Sequence, residues 1–397
     1  MLNIKDHLTG ILATNNPNRS LAIDVFRGIA ITGMILVNNP GSWSHVYAPL
    51  KHAEWHGWTP TDLIFPFFIV IVGISISLSL GNRSSKKAEH HVVIWDAMLR
   101  AFKLFLLGLF LAAFYYDFQI PNYDWWQERI IEIRIPGVLQ RISIVYLACM
   151  LLALYCRTRV LALLSITALL LHTGMMLFIP YSDGQTVYLG VLDFGNSYAA
   201  YIDSKVFSST YLYYDKAKPF AFDPEGIVST LPTIVSGLVG VIIGRWWLQN
   251  HTVNKRILVM LSVGISLTLG GLLIDVFYPI NKALWTASFV LLTSGLACLL
   301  LAALVFMLDK KRWQIWSAPL IVFGANSLLF FMFAGIVARL TLILPVGNQS
   351  LKSWLYTRCY QPLFGDELGS LVYALIFMMA SYIVFYILYK QRLFWKV

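Results

Sequence analysis

The sequence predicts an all-α polytopic membrane protein with about ten transmembrane helices and both termini in the cytoplasm. Three observations lead to this prediction. Of the 397 residues, 58% are hydrophobic and only 13% are charged, whereas soluble domains carry about 25% charged residues. Apolar runs of about 18 or more residues, long enough to cross a bilayer as helices, recur along the chain. Lysine and arginine are concentrated in one of the two alternating sets of loops. A soluble, disordered or fibrous protein is therefore excluded.

The apolar runs, with the glycine, proline and charged residues that interrupt them, predict the individual spans. These spans lie near 22–38, 62–80, 98–116, 137–155, 160–179, 227–247, 257–278, 284–308, 318–344 and 368–389. Residues 22–390 then form a single membrane domain between a polar N-terminal segment, 1–21, and a short tail, 391–397. The N-terminal segment has no apolar run typical of a cleaved signal peptide, so we expect the first span to direct insertion.

The distribution of positive charge predicts the orientation. Of the 30 Lys and Arg residues, 16 lie in the short loops and termini on one side, and nine lie in the longer loops on the other side. The positive-inside rule places the short loops in the cytoplasm. The net charge of +10 is then mostly a consequence of topology and does not indicate nucleic-acid binding. The long external loops are 39–61, 117–136, 180–226 and 345–367, and the acidic residues of 180–226 favour a neutral or cationic ligand.

The first external segment, 37–68, is the richest in residues that could do chemistry. It contains His45, His52 and His56 among several tryptophans. A neutral imidazole is the natural general base for removing a proton from an amine or hydroxyl at physiological pH. The alternative is an aromatic belt in which these histidines only bind backbone atoms. A zinc site is disfavoured, because no acid lies nearby at a standard spacing.

The end of the first span carries two amides and is followed by an aromatic segment. Asn38 and Asn39 stand where the predicted helix ends. An amide held there can donate to a carbonyl oxygen that gains negative charge when it is attacked. Trp55, close to His52 in sequence, offers a ring for stacking. The segment therefore contains a candidate base, a candidate oxyanion donor and a candidate binding surface.

Two acidic residues are well placed to cap helices. Thr59 is the expected N-cap of the second span, Pro60 its first helical residue and Asp62 the acid of a capping box. Asp223 is the expected cap of the sixth span, with Pro224 at the first helical position. Capping alone explains both acids, and the pattern itself gives neither a catalytic role.

Polar residues also lie within the spans, where an unpaired charge is costly. The basic residues inside spans or at their rims are Arg27, Arg100, Lys103, Arg141 and Arg339. Each is a candidate for function or for snorkelling. Asp24, three residues before Arg27, predicts an ion pair on one helix face. Gln140 and Arg141 lie about one turn inside the fourth span and are expected to face the bundle interior. Asn326, inside the ninth span, can join helices or contact a ligand.

The motifs that contain these residues resemble a known family. They read SLAIDVFRGIAITGMILVNNPGSW, KHAEWHGWTPTDLIFPFFIVIVG, RIPGVLQR, FDPEGI, INKALWT and FGANS, in this order between residue 20 and about residue 330. The set resembles the heparan-α-glucosaminide N-acetyltransferase family and its bacterial relatives. The resemblance implies a transmembrane acyltransferase that delivers acetyl from cytosolic acetyl-CoA to the amine of a terminal glucosamine on the far side. It also implies a ten-span core that is often dimeric.

The resemblance also implies roles for individual residues. It makes His52, in KHAEW, the active-site histidine and Asn38 a functional asparagine, and both are the expected catalytic residues. The residues expected to bind the sugar substrate are Asp62, Trp55, Asn39, Arg134, Gln140, Arg141 and Asn326. CoA, bound between helices, is expected to contact basic residues near the cytoplasmic side, with Arg27, Arg100 and Lys103 as the candidates. We expect no metal.

Two other functions remain open from the sequence. A transporter of a sugar or a lipid-linked acceptor would need no acyl chemistry. An O-acetyltransferase acting on an envelope polysaccharide would use the same residues on a hydroxyl acceptor. Within the acetyltransferase hypothesis we expect direct attack of the acceptor on the thioester, with a homodimer in a bacterial inner membrane as the expected assembly and location.

Overall fold

The protein is a bundle of long apolar helices. The computed structural model describes residues 4–14, 20–85, 89–118, 120, 122–249 and 251–395. Among these residues, eight helices are long and apolar enough to cross a membrane, or nine if one bent pair is counted as a single span. The predicted class, an all-α polytopic membrane protein, is confirmed.

The helices are numbered in chain order. Their bounds are α1 Ile4–Thr14, α2 Leu21–Asn38, α3 Pro60–Ser85, α4 His90–Ala113, α5 Val138–Tyr155, α6 Thr158–Phe178, α7 Tyr198–Val206, α8 Ile227–Trp247, α9 Val253–Asp275, α10 Ala287–Leu304, α11 Ala318–Ala325, α12 Ser327–Ile343, α13 Leu351–Leu355, α14 Gln361–Phe364 and α15 Asp366–Lys390. Short antiparallel hairpins in the connecting segments pair β1 Tyr181–Ser182 with β2 Val187–Tyr188, β3 Leu192–Asp193 with β4 Asn196–Ser197, and β5 Pro345–Val346 with β6 Gln349–Ser350.

One predicted span differs from the others in composition. The region near 98–116 lies mostly within α4, which is helical over 24 residues. Asp96, Arg100 and Lys103 lie within this helix, and its charge sets it apart from the eight apolar helices. The helix is long enough to cross a bilayer, and the tenth span stays a prediction.

The ninth predicted span is broken at Asn326. The helical segments on either side of this residue, which include α11 and α12, meet at an angle of 76°. The Asn326 side chain binds the C-terminal tail at the break: Nδ2 donates to the Leu393 carbonyl oxygen at 2.9 Å, and Oδ1 accepts from the Trp395 backbone nitrogen at 3.0 Å. The span predicted near 318–344 is therefore a bent pair of helices. The apolar run did not indicate the bend, because the bend involves hydrogen bonds to the distant C-terminal tail.

Different segments of the chain lie at the two ends of the bundle. The tail binds Asn326, and a Cβ on the nearby Gly324 would lie 2.8 Å from the carbonyl oxygen of Asp24, in the first turn of α2. Because α2 runs from that point to Asn38, the segment 39–59 lies at the opposite end of the bundle. We call these the terminal end and the loop end. Both ends of the described chain are at the terminal end, where His7 Nε2 also lies 2.9 Å from the Tyr382 hydroxyl.

Helices α3 and α8 contact each other through glycines. A Cβ on Gly73 of α3 would lie 2.0 Å from the Gly237 carbonyl oxygen, and a Cβ on Gly240 of α8 would lie 2.0 Å from that of Val70. Small residues let the backbones of membrane helices approach this closely. The two helices therefore form one packed pair, and both begin at the loop end of the bundle.

Candidate active site

A histidine and a carboxylate lie in contact at the loop end. His52 Nδ1 lies 2.6 Å from Asp62 Oδ1. The Asp62 side chain is 1% exposed, whereas that of His52 is 49% exposed. A carboxylate that accepts the Nδ1 proton fixes the ring tautomer and leaves Nε2 as the proton-accepting atom. The pair therefore has the arrangement of a general base with its orienting acid.

The second oxygen of Asp62 holds the chain that carries His52. Asp62 Oδ2 accepts from the backbone nitrogens of Ala53, at 3.0 Å, and Thr59, at 3.1 Å. It also accepts from the Thr59 hydroxyl at 3.1 Å. The bond from the Thr59 backbone nitrogen is the half of the predicted capping box of α3 that the acid supplies, while the Thr59 hydroxyl donates to the Lys51 carbonyl oxygen at 2.6 Å and to Asp62. One carboxylate thus caps the helix with Oδ2 and orients the imidazole with Oδ1, so the cap and the histidine partner are the same residue.

A lysine that the sequence analysis did not select completes this cluster. Lys282 Nζ lies 3.2 Å from Asp62 Oδ1, 3.0 Å from His52 Nδ1 and 3.5 Å from His52 Nε2. Burial lowers the pKa of Lys282, while the Asp62 carboxylate opposes that shift. The signal in the sequence was the INKALWT motif itself, which places one basic residue in a short external loop.

The loop that carries Lys282 is fixed to the histidine segment. Asn281 Nδ2 donates to the Trp55 carbonyl oxygen at 2.9 Å, and the Gly57 backbone nitrogen donates to the Ile280 carbonyl oxygen at 2.8 Å. The Trp55 indole donates to the Leu192 carbonyl oxygen at 2.7 Å. Trp55, which we expected to bind substrate, therefore also holds three external segments together.

Arg134 is bound by two carboxylates. Its Nε and Nη2 donate to Asp223 at 2.7 and 2.6 Å, and Nη2 also donates to Glu225 at 2.5 Å. Burial opposes the charge of Arg134, but the two carboxylates hold its pKa above the ordinary value. The guanidinium expected to bind substrate is thus engaged within the protein.

The same ion pair corrects the expected cap of the sixth span. Helix α8 begins at Ile227, three residues after Pro224, because Asp223 is turned toward Arg134. Asp203 of α7 takes the capping role, accepting from the Ile227 backbone nitrogen at 3.0 Å. Burial raises the pKa of Asp203 to about 6.

A cavity of about 310 Å³ lies between α4, α5 and α8. Its polar lining includes Gln140, Arg141, Glu225 and Thr230, and the rest of the wall is mainly apolar. Arg141 is 2% exposed, as expected for a residue facing the bundle interior. Its Nη2 donates to Ser229 Oγ at 2.5 Å, whereas Nε and Nη1 have no hydrogen-bond partner among the described residues. Leaving such donors unpaired inside the protein is costly, and both nitrogens are buried rather than open to the cavity.

The cavity and the histidine cluster share neighbours. The Arg141 guanidinium lies 5.5 Å from the centre of the Trp285 ring, and Trp285 follows Lys282 in the same loop. Glu225, in the cavity wall, interacts electrostatically with Lys282. Four of the motifs identified in the sequence therefore meet at the loop end: KHAEWHGWTPTD, RIPGVLQR, FDPEGI and INKALWT.

The two asparagines at the end of α2 differ. The Asn38 side chain is exposed, and among the described residues no hydrogen bond joins it to His52. Asn39 is buried, and its Nδ2 donates to the Ile35 carbonyl oxygen at 2.8 Å. The Asn39 side chain thus binds a carbonyl oxygen of the last turn of α2. Asn38 lies at the loop end with a carboxamide that can reach a ligand.

Of the three basic residues expected to bind CoA, Arg27 lies on α2, whereas Arg100 and Lys103 lie three residues apart on α4. Arg27 donates through Nη2 to Ser75 Oγ at 2.8 Å and pairs with Asp24 at 3.5 Å, which confirms the predicted ion pair. Arg100 and Lys103 are exposed on α4. Asn326, expected to bind the sugar, lies at the terminal end, on the opposite side of the bundle from His52. No group of three or more His, Cys, Asp or Glu residues able to hold a metal occurs in the part of the chain that the structure describes.

Comparison with known proteins identifies relatives of the whole bundle. The sequence model of the catalytic region of heparan-alpha-glucosaminide N-acetyltransferase matches residues 19–271. The human heparan-alpha-glucosaminide N-acetyltransferase is 28% identical over 428 aligned residues, which cover 96% of this chain and 60% of the human protein. The mouse protein is 27% identical over 432, covering 96% and 61%. The chain thus spans about 60% of the length of these relatives. It belongs to the heparan-alpha-glucosaminide N-acetyltransferase family.

Proposed function

We propose that this member of the family transfers an acetyl group from acetyl-CoA to the amine of a glucosamine-type sugar, with His52 as the general base. The observation that supports this most directly is the contact between His52 and Asp62. An amine must lose a proton as it attacks a thioester, and an exposed Nε2 backed by a buried carboxylate is suited to take it. The names of the relatives supply the N-acetyl transfer and the glucosaminide acceptor of the proposal, and acetyl-CoA is our proposed donor.

The proposed reaction is direct attack. The acceptor nitrogen attacks the thioester carbonyl carbon while Nε2 takes its proton, and Asp62 stabilises the resulting imidazolium. The CoA thiolate then leaves and takes from His52 the proton that came from the amine. His52 is open to solvent on one side, where an acetyl-imidazole would be exposed to hydrolysis, so a single complex of both substrates is favoured over an acetyl-enzyme. Asn38 is proposed to donate to one of the bound substrates from the end of α2.

The cavity beside Arg141 is the proposed site for the acceptor ring. Its volume of about 310 Å³ is at the lower end of the range of about 300–1,000 Å³ for small-molecule sites. Gln140 offers a donor to sugar oxygens, and the nearby carboxylates, including Glu225, favour a neutral or cationic ligand over an anionic one. This combination suits an amino sugar.

The proposed sidedness follows from charge. The loops rich in Lys and Arg belong to the terminal end, so the positive-inside rule places that end in the cytoplasm and His52 outside. Arg27, partly buried between α2 and α3, is the proposed phosphate contact for CoA entering from the cytoplasm. Arg100 and Lys103 would be reached only from the surface of the bundle. A homodimer in a bacterial inner membrane remains the proposed assembly and location.

The experiment is an acceptor panel with purified protein in detergent. Acetyl-CoA is incubated with glucosamine, glucose or buffer, and the acetylated sugar and released CoA are measured. We expect N-acetylglucosamine to form in step with CoA, and His52→Ala to reduce the rate by about 10²–10⁴-fold. His45→Ala is the matched control, since His45 binds Tyr356 at 3.2 Å, away from Asp62.

Each rival function has its own signature in this panel. Acetylation of glucose at least as fast as glucosamine would favour an O-acetyltransferase. Failure to bind or turn over acetyl-CoA, together with binding of the sugar, would favour a transporter. Retention of more than about a tenth of the rate by His52→Ala would remove His52 from the role of base.

A further inference from the structure

We propose that Lys282 is a further catalytic residue, whose ammonium group stabilises the negative charge that develops on the thioester carbonyl oxygen during acetyl transfer. The inference rests on the proposed reaction at His52. Lys282 Nζ lies 3.5 Å from His52 Nε2, the atom that receives the proton. An N–H donor this close to Nε2 also lies close to the thioester carbonyl group, when the amine that attacks this carbonyl gives its proton to Nε2.

The hydrogen-bonding needs of Asp62 do not explain the lysine. Apart from Lys282, Asp62 accepts from His52, from two backbone nitrogens and from the Thr59 hydroxyl. A carboxylate with these partners is already well satisfied. Placing a partly buried ammonium beside it adds a desolvation cost. The cost is understandable if the ammonium is needed by the reaction.

Lys282 also has donors left over. An ammonium group carries three N–H bonds, and one of them is directed to Asp62 at 3.2 Å. When His52 Nδ1 carries the proton that Asp62 accepts, Nδ1 cannot accept another from Lys282, despite the 3.0 Å separation. A second N–H can point toward Nε2 at 3.5 Å, and the third remains for an oxygen atom in front of the ring. The Lys282 side chain is 26% exposed, so a substrate can approach it.

The surrounding charges favour this role. Lys282 faces His52 from the first external segment, Asp62 from α3 and Glu225 from the segment before α8. Its positive charge stands beside the imidazole before the acceptor arrives. Once the tetrahedral intermediate forms, the new oxyanion offsets that charge. Charge fixed in advance at the place where a negative charge develops is the most effective kind of electrostatic catalysis.

The proposed step begins with attack on the thioester and ends with release of CoA. The acceptor amine forms a bond to the carbonyl carbon, and the π electron pair moves to the carbonyl oxygen, which accepts an N–H from Lys282. The amine proton moves to His52 Nε2. The carbonyl bond then re-forms, the carbon–sulfur bond breaks, and the CoA thiolate takes the proton from His52. Lys282 keeps its own proton throughout, so it acts only in the ammonium form.

The test compares Lys282→Met and Lys282→Arg with wild type, using acetyl-CoA and glucosamine. We expect Lys282→Met to lower kcat by about 10²–10³-fold with both KM values unchanged, because the interaction exists only in the transition state. Lys51→Met is the matched control, since Lys51 is an exposed lysine beside His52 in the sequence. A kcat for Lys282→Met above about a tenth of wild type would overturn the proposal.

The pH profile separates catalysis from packing. Wild-type kcat should fall at alkaline pH, below the ordinary lysine pKa of 10.5, because burial lowers the pKa of Lys282 and its deprotonation removes the donor. Lys282→Arg should keep measurable activity and lose this alkaline limb, because arginine does not deprotonate in this range. An alkaline limb unchanged in Lys282→Arg would contradict the proposal.

Chemical rescue covers the case in which Lys282→Met fails to fold. Lys282→Cys is purified and treated with 2-bromoethylamine, which restores an ammonium group at this position, or with 2-bromoethanol, which adds a neutral group of similar length. Wild type treated in the same way controls for the native cysteines. We expect only the amine to restore acetyl transfer, and equal or absent restoration would overturn the proposal. If wild type acetylates no amine, the proposed function fails; if wild type does and Lys282→Met matches it, only this inference fails.

Discussion

The two ends of the helix bundle hold their polar residues in different ways. At the loop end, His52, Asp62 and Lys282 come from three segments separated by as many as 230 residues, and they lie within hydrogen-bond distance of one another. At the terminal end, Arg27 pairs with Asp24 on the same helix, and Asn326 binds backbone atoms of the tail. Polar groups at the loop end are gathered around an exposed imidazole, whereas Arg27 and Asn326 at the terminal end bind neighbouring parts of the chain. This difference supports the proposal that acetyl transfer takes place at the loop end.

The largest expected effect that tests this contrast comes from Asp62→Asn. The amide cannot hold the Nδ1 proton as the carboxylate does, so the imidazole turns to the wrong tautomer, a change that costs about 10⁴-fold in kcat in a serine protease triad. We expect a loss of similar size here, measured as the rate of N-acetylglucosamine formation. Thr59→Val removes a hydroxyl from the same carboxylate while leaving the contact with Nδ1. Its effect should be far smaller, and equal losses in both variants would make Asp62 a helix cap only.

A second test at the loop end concerns stability. Arg134→Met leaves two buried carboxylates, Asp223 and Glu225, without their cation. Breaking a buried ion pair in this way costs about 3–5 kcal/mol, so we expect a clear fall in the Tm of the detergent-purified protein. Lys216→Met, at an exposed lysine of the same external segment, should leave the Tm unchanged. An unchanged Tm in Arg134→Met would mean that Arg134 is free to serve substrate instead.

The smallest effect is expected at the terminal end. Asn326→Ala removes two hydrogen bonds to the tail and should cost about 1–3 kcal/mol, seen as a modest fall in Tm and faster hydrogen exchange around Trp395. Acetyl transfer should remain near the wild-type rate. A tenfold loss of kcat without unfolding would break the contrast and make the terminal end part of the catalytic machinery.

The sequence predicted the parts of this molecule that depend on neighbouring residues. Apolar runs located the membrane helices, the Thr59-Pro60-Thr61-Asp62 pattern located the start of α3, and three residues of spacing predicted the pair of Asp24 with Arg27. Each of these depends on contacts within a few residues. Local patterns therefore located the membrane helices and the start of α3, but not the start of α8.

What the sequence could not predict depends on contacts between distant segments. Asp223 was expected to cap α8, but Arg134, 89 residues away, binds it. Lys282 stands in the INKALWT motif, but the motif does not reveal its contacts, because its partners lie 220 and 230 residues earlier. The break at Asn326 depends on the tail, which no apolar pattern reveals. The partners of Asp223 and Lys282 and the break at Asn326 are therefore seen only in the folded structure.

The glycine contact between α3 and α8 also governs the geometry of the site from a distance. Asp62 is in the first turn of α3, and Gly73 lies 11 residues later, about 16 Å along the helix. Glu225 stands just before α8, whose Gly240 touches the same stretch of α3. A methyl group at either glycine would push the two helices apart and change the distance between their loop ends. We infer that the spacing between the proposed base and the proposed acceptor cavity depends on these two glycines, in the middle of the helix bundle.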